Sequence, residues 1–428
     1  MGIITDLLAD IPIPKMVRVK QTFSATEVPD IVAALQAELR RADIASRVKP
    51  GMRIAVAVGS RGMAEIALIA KVTVDEIKKC GAEPFIVPAM GSHGGATPEG
   101  QRQVLASLGV TEVATGCPIL SSMEVVELGV LDNGLPVLID KNAYEADGII
   151  VINRIKAHNA FSGPNESGLV KMITIGLGKQ KGADSCHALG YQHFAEFLVE
   201  MARIKLGRLP FLFGIGTVEN AYDRVAKIVA IPAEAIIETE RSLLLEAKGN
   251  MPRILLQPLD ILIVDQLGKE FSGGGMDPYT TGRAPTPYLD PGPGPSRLVV
   301  LDVTERSHGN TCGMGMADIT TRRLFNKIDF DFTYANILTS TVTPSGRIPL
   351  LMDTDRLTIQ AAIKTCNAAC PDKIRMVRIA NSLHIGEMYI SESMVKDAEQ
   401  HPQIAVCGKP AELVFDAAGN LPDLGAWL

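Results

Sequence analysis

The residues best suited to chemistry in this chain are histidines, lysines and arginines set in short glycine-rich stretches. The first stretch is Val58-Gly59-Ser60-Arg61-Gly62, one cation among small residues. Backbone N–H groups of such a turn can receive a phosphate or carboxylate, and a helix N-terminus just behind it would add its dipole. A plain turn with a solvated arginine is the competing reading. The second stretch is Met90-Gly91-Ser92-His93-Gly94-Gly95-Ala96-Thr97. Its glycines leave His93 on a thin turn with little side-chain cover, where either ring nitrogen can exchange a proton near neutral pH. The third runs from Asn153 to His187 and holds Arg154, Lys156, His158, Lys171, Lys179 and Lys181. Leu169-Val170 and Met172-Ile173 flank Lys171 with apolar residues, which suggests a partly buried lysine held for a purpose. The fourth is Asp265-Gln266-Leu267-Gly268-Lys269-Glu270, where Gln266 and Lys269 can offer an amide and an ammonium to a carboxylate.

These stretches must be positioned by elements that deliver them to one place. The first 230 or so residues alternate short apolar runs (Arg53 to Val58, Pro84 to Val87, Gly148 to Ile152, Phe211 to Ile215) with helical patterns at Asp30 to Arg41, Ala64 to Cys80 and Pro98 to Leu108. Strand–helix alternation predicts an α/β fold with a mostly parallel sheet flanked by helices. Ligands of such sheets bind beyond the carboxyl ends of the strands, where the polar stretches fall. A second α/β block begins with Leu259 to Val264 and continues through Arg297 to Leu301, a helix at Leu357 to Ala369 and a run at Ile374 to Ile379. The expected domains are 1–252, 253–392 and a tail, 393–428, packing back on the first domain, with the site in the cleft between the two α/β domains. Between the first two strands of the second block, residues 272–296 hold six Gly and six Pro in 25 residues, too broken for regular structure and placed to be functional or mobile.

Composition narrows the class. The 428 residues are 46% hydrophobic and 21% charged, and 42 Lys+Arg against 48 Asp+Glu leave a net charge of -6. That balance gives no reason to expect nucleic acid or an anionic membrane as partner. No apolar run is long enough to span a bilayer, and the N-terminal residues lack a secretory pattern, so a cytoplasmic protein is expected. Seven scattered cysteines without a CxxC pair read as free thiols, with Cys366 and Cys370 sharing a buried helix face. The Gly-x-Gly at Gly176 and Gly178 lacks the third glycine of a dinucleotide fingerprint, and no P-loop, HExxH or EF-hand pattern occurs. His193 reads as helix packing, and His308, His384, His401 and the Arg322-Arg323 pair as structural or solvated.

Taken together, the ordered motifs resemble the nickel-dependent lactate racemase family: an arginine turn, a Gly-x-His turn, a second histidine, Lys171 with His187 sixteen residues later, and a Gln-x-x-Lys in the second block. The resemblance implies a nickel-pincer nucleotide, a pyridinium mononucleotide gripping the metal through carbon and two sulfurs. It implies that Lys171 holds this cofactor as a thioamide and that His187 is the remaining nickel ligand. Gly59, Ser60, Gly91 and Ser92 would sit where the cofactor phosphate and substrate bind. Arg61, Gln266 and Lys269 would contact a small anionic 2-hydroxy acid, and His93 and His158 would be the two acid/base groups of a racemase or 2-epimerase. Cofactor-biosynthesis enzymes would be partners. The segment with Pro164, Asn165 and Glu166 is longer than in lactate enzymes and is more similar to the branch with sugar-acid epimerases. Two other classes remain: a hydrolase or lyase using another metal at His158 and His187, and a non-catalytic binder of anionic metabolites.

Overall fold

Runs such as Arg53–Val58 (Arg-Ile-Ala-Val-Ala-Val) are apolar at every position after the first, and all five of those residues are buried. Continuous rather than alternating burial marks a strand covered on both faces, the condition of a parallel sheet between helices. The covering helices show the complementary spacing: Ile66–Lys79 buries Ile66, Ile69, Ala70, Thr73 and Ile77 along one stripe and ends in Lys78 and Lys79, which favour the negative end of its dipole. Each fully buried Val or Ile contributes about 1.5–3 kcal/mol, so this interface is a main source of stability. The structure, a computed structural model, describes residues 2–60, 62–368, 370, 373–422 and 424.

The described chain divides into two units, Ser24–Met251 and Met1–Phe23 with Pro252–Leu428. In the first unit a five-stranded sheet runs from edge to edge as Glu83–Pro88, Arg53–Val58, Gly148–Arg154, Phe211–Glu219 and Val225–Pro232. The first four strands are parallel and the last is antiparallel. A separate antiparallel pair, Val125–Val130 with Pro136–Asp140, stands beside it. Among the helices of this unit, Pro98–Ser107, Phe194–Arg208 and Ile236–Asn250 each bury a polar side chain: Gln101, Lys205 and Glu240 respectively. The first of these helices starts as the sequence predicts, with Pro98 at its first position and the Thr97 hydroxyl accepting the Gly100 N–H at 3.0 Å.

In the second unit an eight-stranded sheet is ordered Leu350–Met352, Ile319–Thr321, Arg297–Val303, Ile261–Leu267, Met376–Ile379, Glu387–Ser391, Met16–Gln21 and Ile404–Val406. Pairing is parallel over the first five strands and antiparallel over the last three. Both units are therefore mostly parallel α/β structures.

The expected domain limits need correction at both ends. Residues 1–23 leave the first unit because Met16–Gln21 pairs with Glu387–Ser391 on one side and Ile404–Val406 on the other. The described residues of the tail belong to the second unit. Its anchor is the buried Arg378–Asp265 ion pair, bidentate at 2.8 Å, which also receives the Leu424 N–H on Asp265 and the Pro422 carbonyl on Arg378. The Gly/Pro-rich stretch 272–296 is not wholly irregular. It contains a helical turn, Pro278–Thr281, and is tied down by Ser382, whose hydroxyl accepts the Asp277 N–H at 2.8 Å and whose carbonyl accepts the Thr280 hydroxyl at 2.9 Å. Cys366 and Cys370 do not share a helix face, because the helix Asp355–Thr365 ends before either; the seven cysteines are free.

Candidate functional site

The polar stretches of the first unit meet at one irregular turn. The short helix Leu169–Lys171 continues into a turn of π-helix, Met172–Gly176, all of it buried. A π turn breaks the regular hydrogen-bond ladder and leaves carbonyls that need other donors. Lys205, on Phe194–Arg208, supplies them: its Nζ donates to the carbonyls of Ile173 and Thr174 at 2.8 and 2.9 Å. Burial pulls this ammonium down to about 7.

Two loops close on the turn because they lack side chains. A β-carbon at Gly59 would lie 2.7 Å from the Met172 methyl, so any larger residue at the exit of Arg53–Val58 would displace the end of that side chain. Gly91 donates its N–H to the Gly176 carbonyl at 3.1 Å from a left-handed backbone of φ 59°.

Lys171, His158 and His187 come together around an aromatic cluster. The His158 ring lies 4.4 Å from Phe161 and 6.4 Å from Phe194, and the His187 ring 5.4 Å from Phe194 and 6.0 Å from Tyr191. Nε2 of His158 is 2.7 Å from Lys171 Nζ, while its Nδ1 accepts the Ala160 N–H at 3.1 Å. Nδ1 of His187 donates to the Ala183 carbonyl at 2.8 Å, which fixes the tautomer and leaves Nε2 with its lone pair. Burial holds the His187 ring below its ordinary value, and any positive charge on Lys171 adds to that. His187 thereby stays neutral, the state a metal ligand requires.

Two buried carboxylates set this loop, and neither announces itself in the sequence as a site residue. Glu166 accepts the His158 N–H at 2.7 Å and the Gly163 N–H at 2.9 Å, and pairs with Lys248 at 2.7 Å. Glu240, on Ile236–Asn250, accepts the Val170 N–H at 2.9 Å and the Asn165 amide at 3.1 Å. It caps the turn that carries Lys171 and sits so close that a β-carbon at Gly168 would come within 2.4 Å of it. Burial pushes the Glu240 carboxyl up to about 7, against the hydrogen bonds it accepts. The Asn165-Glu166 segment is thus a buried scaffold for His158 and Lys171.

His93 is exposed on its loop, and its Nδ1 is hydrogen-bonded to the Ser60 hydroxyl. This engages Ser60 with a side chain of the neighbouring loop. Ser92 is half-buried on the same loop. The Gly59–Gly62 turn does not lead straight into a helix N-terminus: Ile66–Lys79 starts later, and Ala64 donates its N–H to Glu219 at 2.8 Å, with Glu219 paired to Arg154. The dipole argument for that turn falls away. Arg61 lies outside the described residues. His193 is an exposed helix cap, 3.0 Å from Glu196 through Nδ1, rather than packing.

Gln266 and Lys269 belong to the second unit, at the exit of Ile261–Leu267. Gln266 is half-buried, with its backbone N–H on the Ala380 carbonyl at 3.0 Å. Lys269 donates to the Gly273 carbonyl at 2.9 Å and to Asn336.

Residues 8–197 match a family model described as the lactate racemase N-terminal domain. A search of curated protein sequences finds no match. Among solved structures, the chain is similar to the lactate racemase apoprotein from Thermoanaerobacterium thermosaccharolyticum, with 13% identity, a TM-score of 0.46 and coverage of 79% of this chain and 87% of that one. It is also similar to a protein from Thermotoga maritima, with 13% identity, a TM-score of 0.48 and coverage of 64% and 71%. The match over residues 8–197 spans the Ser60, His93, His158, Lys171 and His187 stretches, so this part of the chain is similar to the lactate racemase N-terminal domain.

Proposed function

We propose that the protein is a racemase or 2-epimerase of a 2-hydroxy carboxylic acid that works with a nickel-pincer nucleotide held by Lys171 and His187. The single observation that carries this reading is the Lys171–His158 contact. Because His158 Nδ1 accepts from Ala160, the neutral ring carries its proton on Nε2 and directs it at Lys171 Nζ. An ammonium there would set N–H against N–H, so the contact favours the amine, the form that bonds covalently to an acyl or thioacyl carbon. His187, with Nε2 unshared, suits nickel, and Tyr191, Phe194 and Phe161 give an apolar wall for a planar ring. The residues present therefore fit such a group.

When bound, the cofactor supplies a reversible hydride acceptor for C2 of the substrate. The chain's own residues must move the hydroxyl proton and hold the anion. Inversion at C2 needs a proton acceptor and a donor serving opposite faces, roles that His93 and His158, on separate loops of the first unit, would fill. His93 is open to solvent, with Ser60 on Nδ1, and can exchange protons through its other nitrogen. Exchange at His158 Nε2 requires Nδ1 to take a proton, so its contact with the Ala160 N–H must open. Arg61 would bind the substrate carboxylate.

A hydrolase or lyase with another metal on His158 and His187 is less consistent with the geometry. Both nitrogens of His158 are engaged, and among the described residues no group of three His, Cys, Asp or Glu forms a metal cluster. The test is intact-mass and metal analysis of protein co-produced with the cofactor-making enzymes, followed by polarimetry on a panel of 2-hydroxy acids. An adduct on Lys171, one nickel per chain and loss of optical activity are expected, and Lys171→Ala should lose all three. Racemisation by unmodified, nickel-free protein would overturn the reading.

A further inference from the structure

Beneath the His93 loop lies a chain of buried polar side chains with no part in the proposed proton transfers. Gln101, on Pro98–Ser107 and 0% exposed, donates from Nε2 to the carbonyls of Gly91 at 2.9 Å and of His93 at 3.3 Å. Its Oε1 accepts from Lys179 Nζ at 2.6 Å. Lys179, equally buried, also donates to the Pro88 carbonyl at 2.8 Å and lies 3.4 Å from Asp140 Oδ2. Asp140 ends the strand Pro136–Asp140, and its other oxygen accepts the Ala143 N–H at 3.0 Å.

The direction of each bond is set by what the groups can do. An ammonium only donates, so Lys179 compels the Gln101 oxygen to face it. The amide NH2 must then face the two loop carbonyls, and the amide cannot flip without setting donor against donor. Keeping Lys179 there is expensive, since its charge is buried and its backbone sits at φ 57°, a left-handed conformation that L-residues avoid. Burial lowers the Lys179 ammonium and raises the Asp140 carboxyl, each charge pulling the other back. An apolar pair at these positions would avoid the cost of burying two charges. What the polar chain secures that an apolar pair cannot is the placement of the Gly91 and His93 carbonyls, and with them the ring whose Nδ1 meets Ser60.

We infer that Gln101 is a positioning residue for His93, with Lys179 and Asp140 setting the orientation of its amide. The consequence for turnover rests on the proposed role of His93 as an acid/base group; the consequence for the ring does not.

The decisive variant is Gln101→Glu. It keeps size and an acceptor toward Lys179 but replaces both donors with an oxygen facing two carbonyls. In cofactor-free protein with 15N-labelled histidine, His93 is identified by its absence in His93→Gln, and its ring tautomer and titration are read from the nitrogen shifts. The Nδ1 signal of Gln101→Glu should move toward that of Ser60→Ala, and Gln101→Met, which lacks donors without adding charge, should move it the same way. In loaded protein kcat should fall about ten- to a hundredfold with KM within about twofold, the scale of a misplaced acid/base group. A lower melting temperature with the His93 signals unchanged would make Gln101 structural only and overturn the inference. Should neither variant fold, the wild-type protein decides: slow solvent exchange of the Gln101 side-chain amide protons supports it, and fast exchange overturns it. A shifted ring in a protein that racemises nothing would leave the inference standing and remove the functional reading.

Discussion

The two histidine loops of the first unit solve the same problem in opposite ways. His93 stands exposed on a glycine turn whose carbonyls are gripped by the Gln101 amide, a donor. His158 is 8% exposed, and its N–H is gripped by Glu166, an acceptor. The buried charges differ as well. Under the His93 loop, Lys179 faces Asp140. Around the His158 loop, Glu240 is held by N–H groups and an amide, and Lys205 by carbonyls. A buried charge held by neutral dipoles is displaced in pKa more readily than one facing its opposite, so the His158 half should be the pH-sensitive half of the site. It should also be the half whose loss costs the most.

The largest effect is expected at Glu166. Glu166→Ala removes the acceptor for two N–H groups and the partner of Lys248, and should destabilise the fold by about 3–5 kcal/mol in denaturant titration. A loss below about 1 kcal/mol would end the comparison, since the His158 loop would not depend on its carboxylate.

The pH dependence comes next. Glu240 is raised from an ordinary 4.5 to about 7, so the stability it contributes is complete below 4.5 and is lost as pH rises through 7. Lys205 is lowered from 10.5 to about 7, so its penalty is complete below 7 and is relieved as pH rises toward 10.5. Together they predict a dip in stability near pH 7, with an acid limb of on the order of 3 kcal/mol. Glu240→Gln should flatten that limb. An unchanged profile in the variant would show that Glu240 is not the group responsible.

Smaller effects separate the glycines of the His93 loop. Gly94 has φ 67°, and a β-carbon there would meet the Gly100 and Gln101 backbone at 2.6 Å; Gly95 has φ 62° with open space around it. Gly94→Ala should therefore cost about 2–3 kcal/mol and Gly95→Ala about 1 kcal/mol, by thermal or chemical unfolding. Equal costs would mean that the loop does not rest on the helix below it. The smallest effect belongs to Ser60→Ala, which should change stability by less than about 1 kcal/mol because the Ser60–His93 bond is exposed, while altering the His93 ring titration. A large loss of stability there would place His93 with His158 rather than opposite it.

Much of this arrangement was legible in the chain. Continuous apolar runs such as Arg53–Val58 identify strands buried on both faces, and Thr97-Pro98 marks a helix start. His93, His158, Lys171 and His187 stand out because glycine or apolar neighbours are unusual settings for them. The groups that hold them do not stand out. Glu240 is 70 residues from Val170, and both it and Gln101 look like any polar residue on an amphipathic helix. The N-terminal strand Met16–Gln21 was equally silent about its place, since its partners lie at Glu387–Ser391 and Ile404–Val406.

By itself the sequence determined which elements form and which side chains can do chemistry, because apolar periodicity, capping and glycine content act over a few neighbouring residues. Tertiary structure decided how the buried polar groups pair. The Lys179 ammonium behind Gln101, the Glu240 carboxylate on the Val170 N–H and the Lys205 ammonium on the Ile173 and Thr174 carbonyls each settle a donor–acceptor choice. Hydrogen bonds are directional and short, so those choices exist only once distant segments have been brought within about 3 Å of one another.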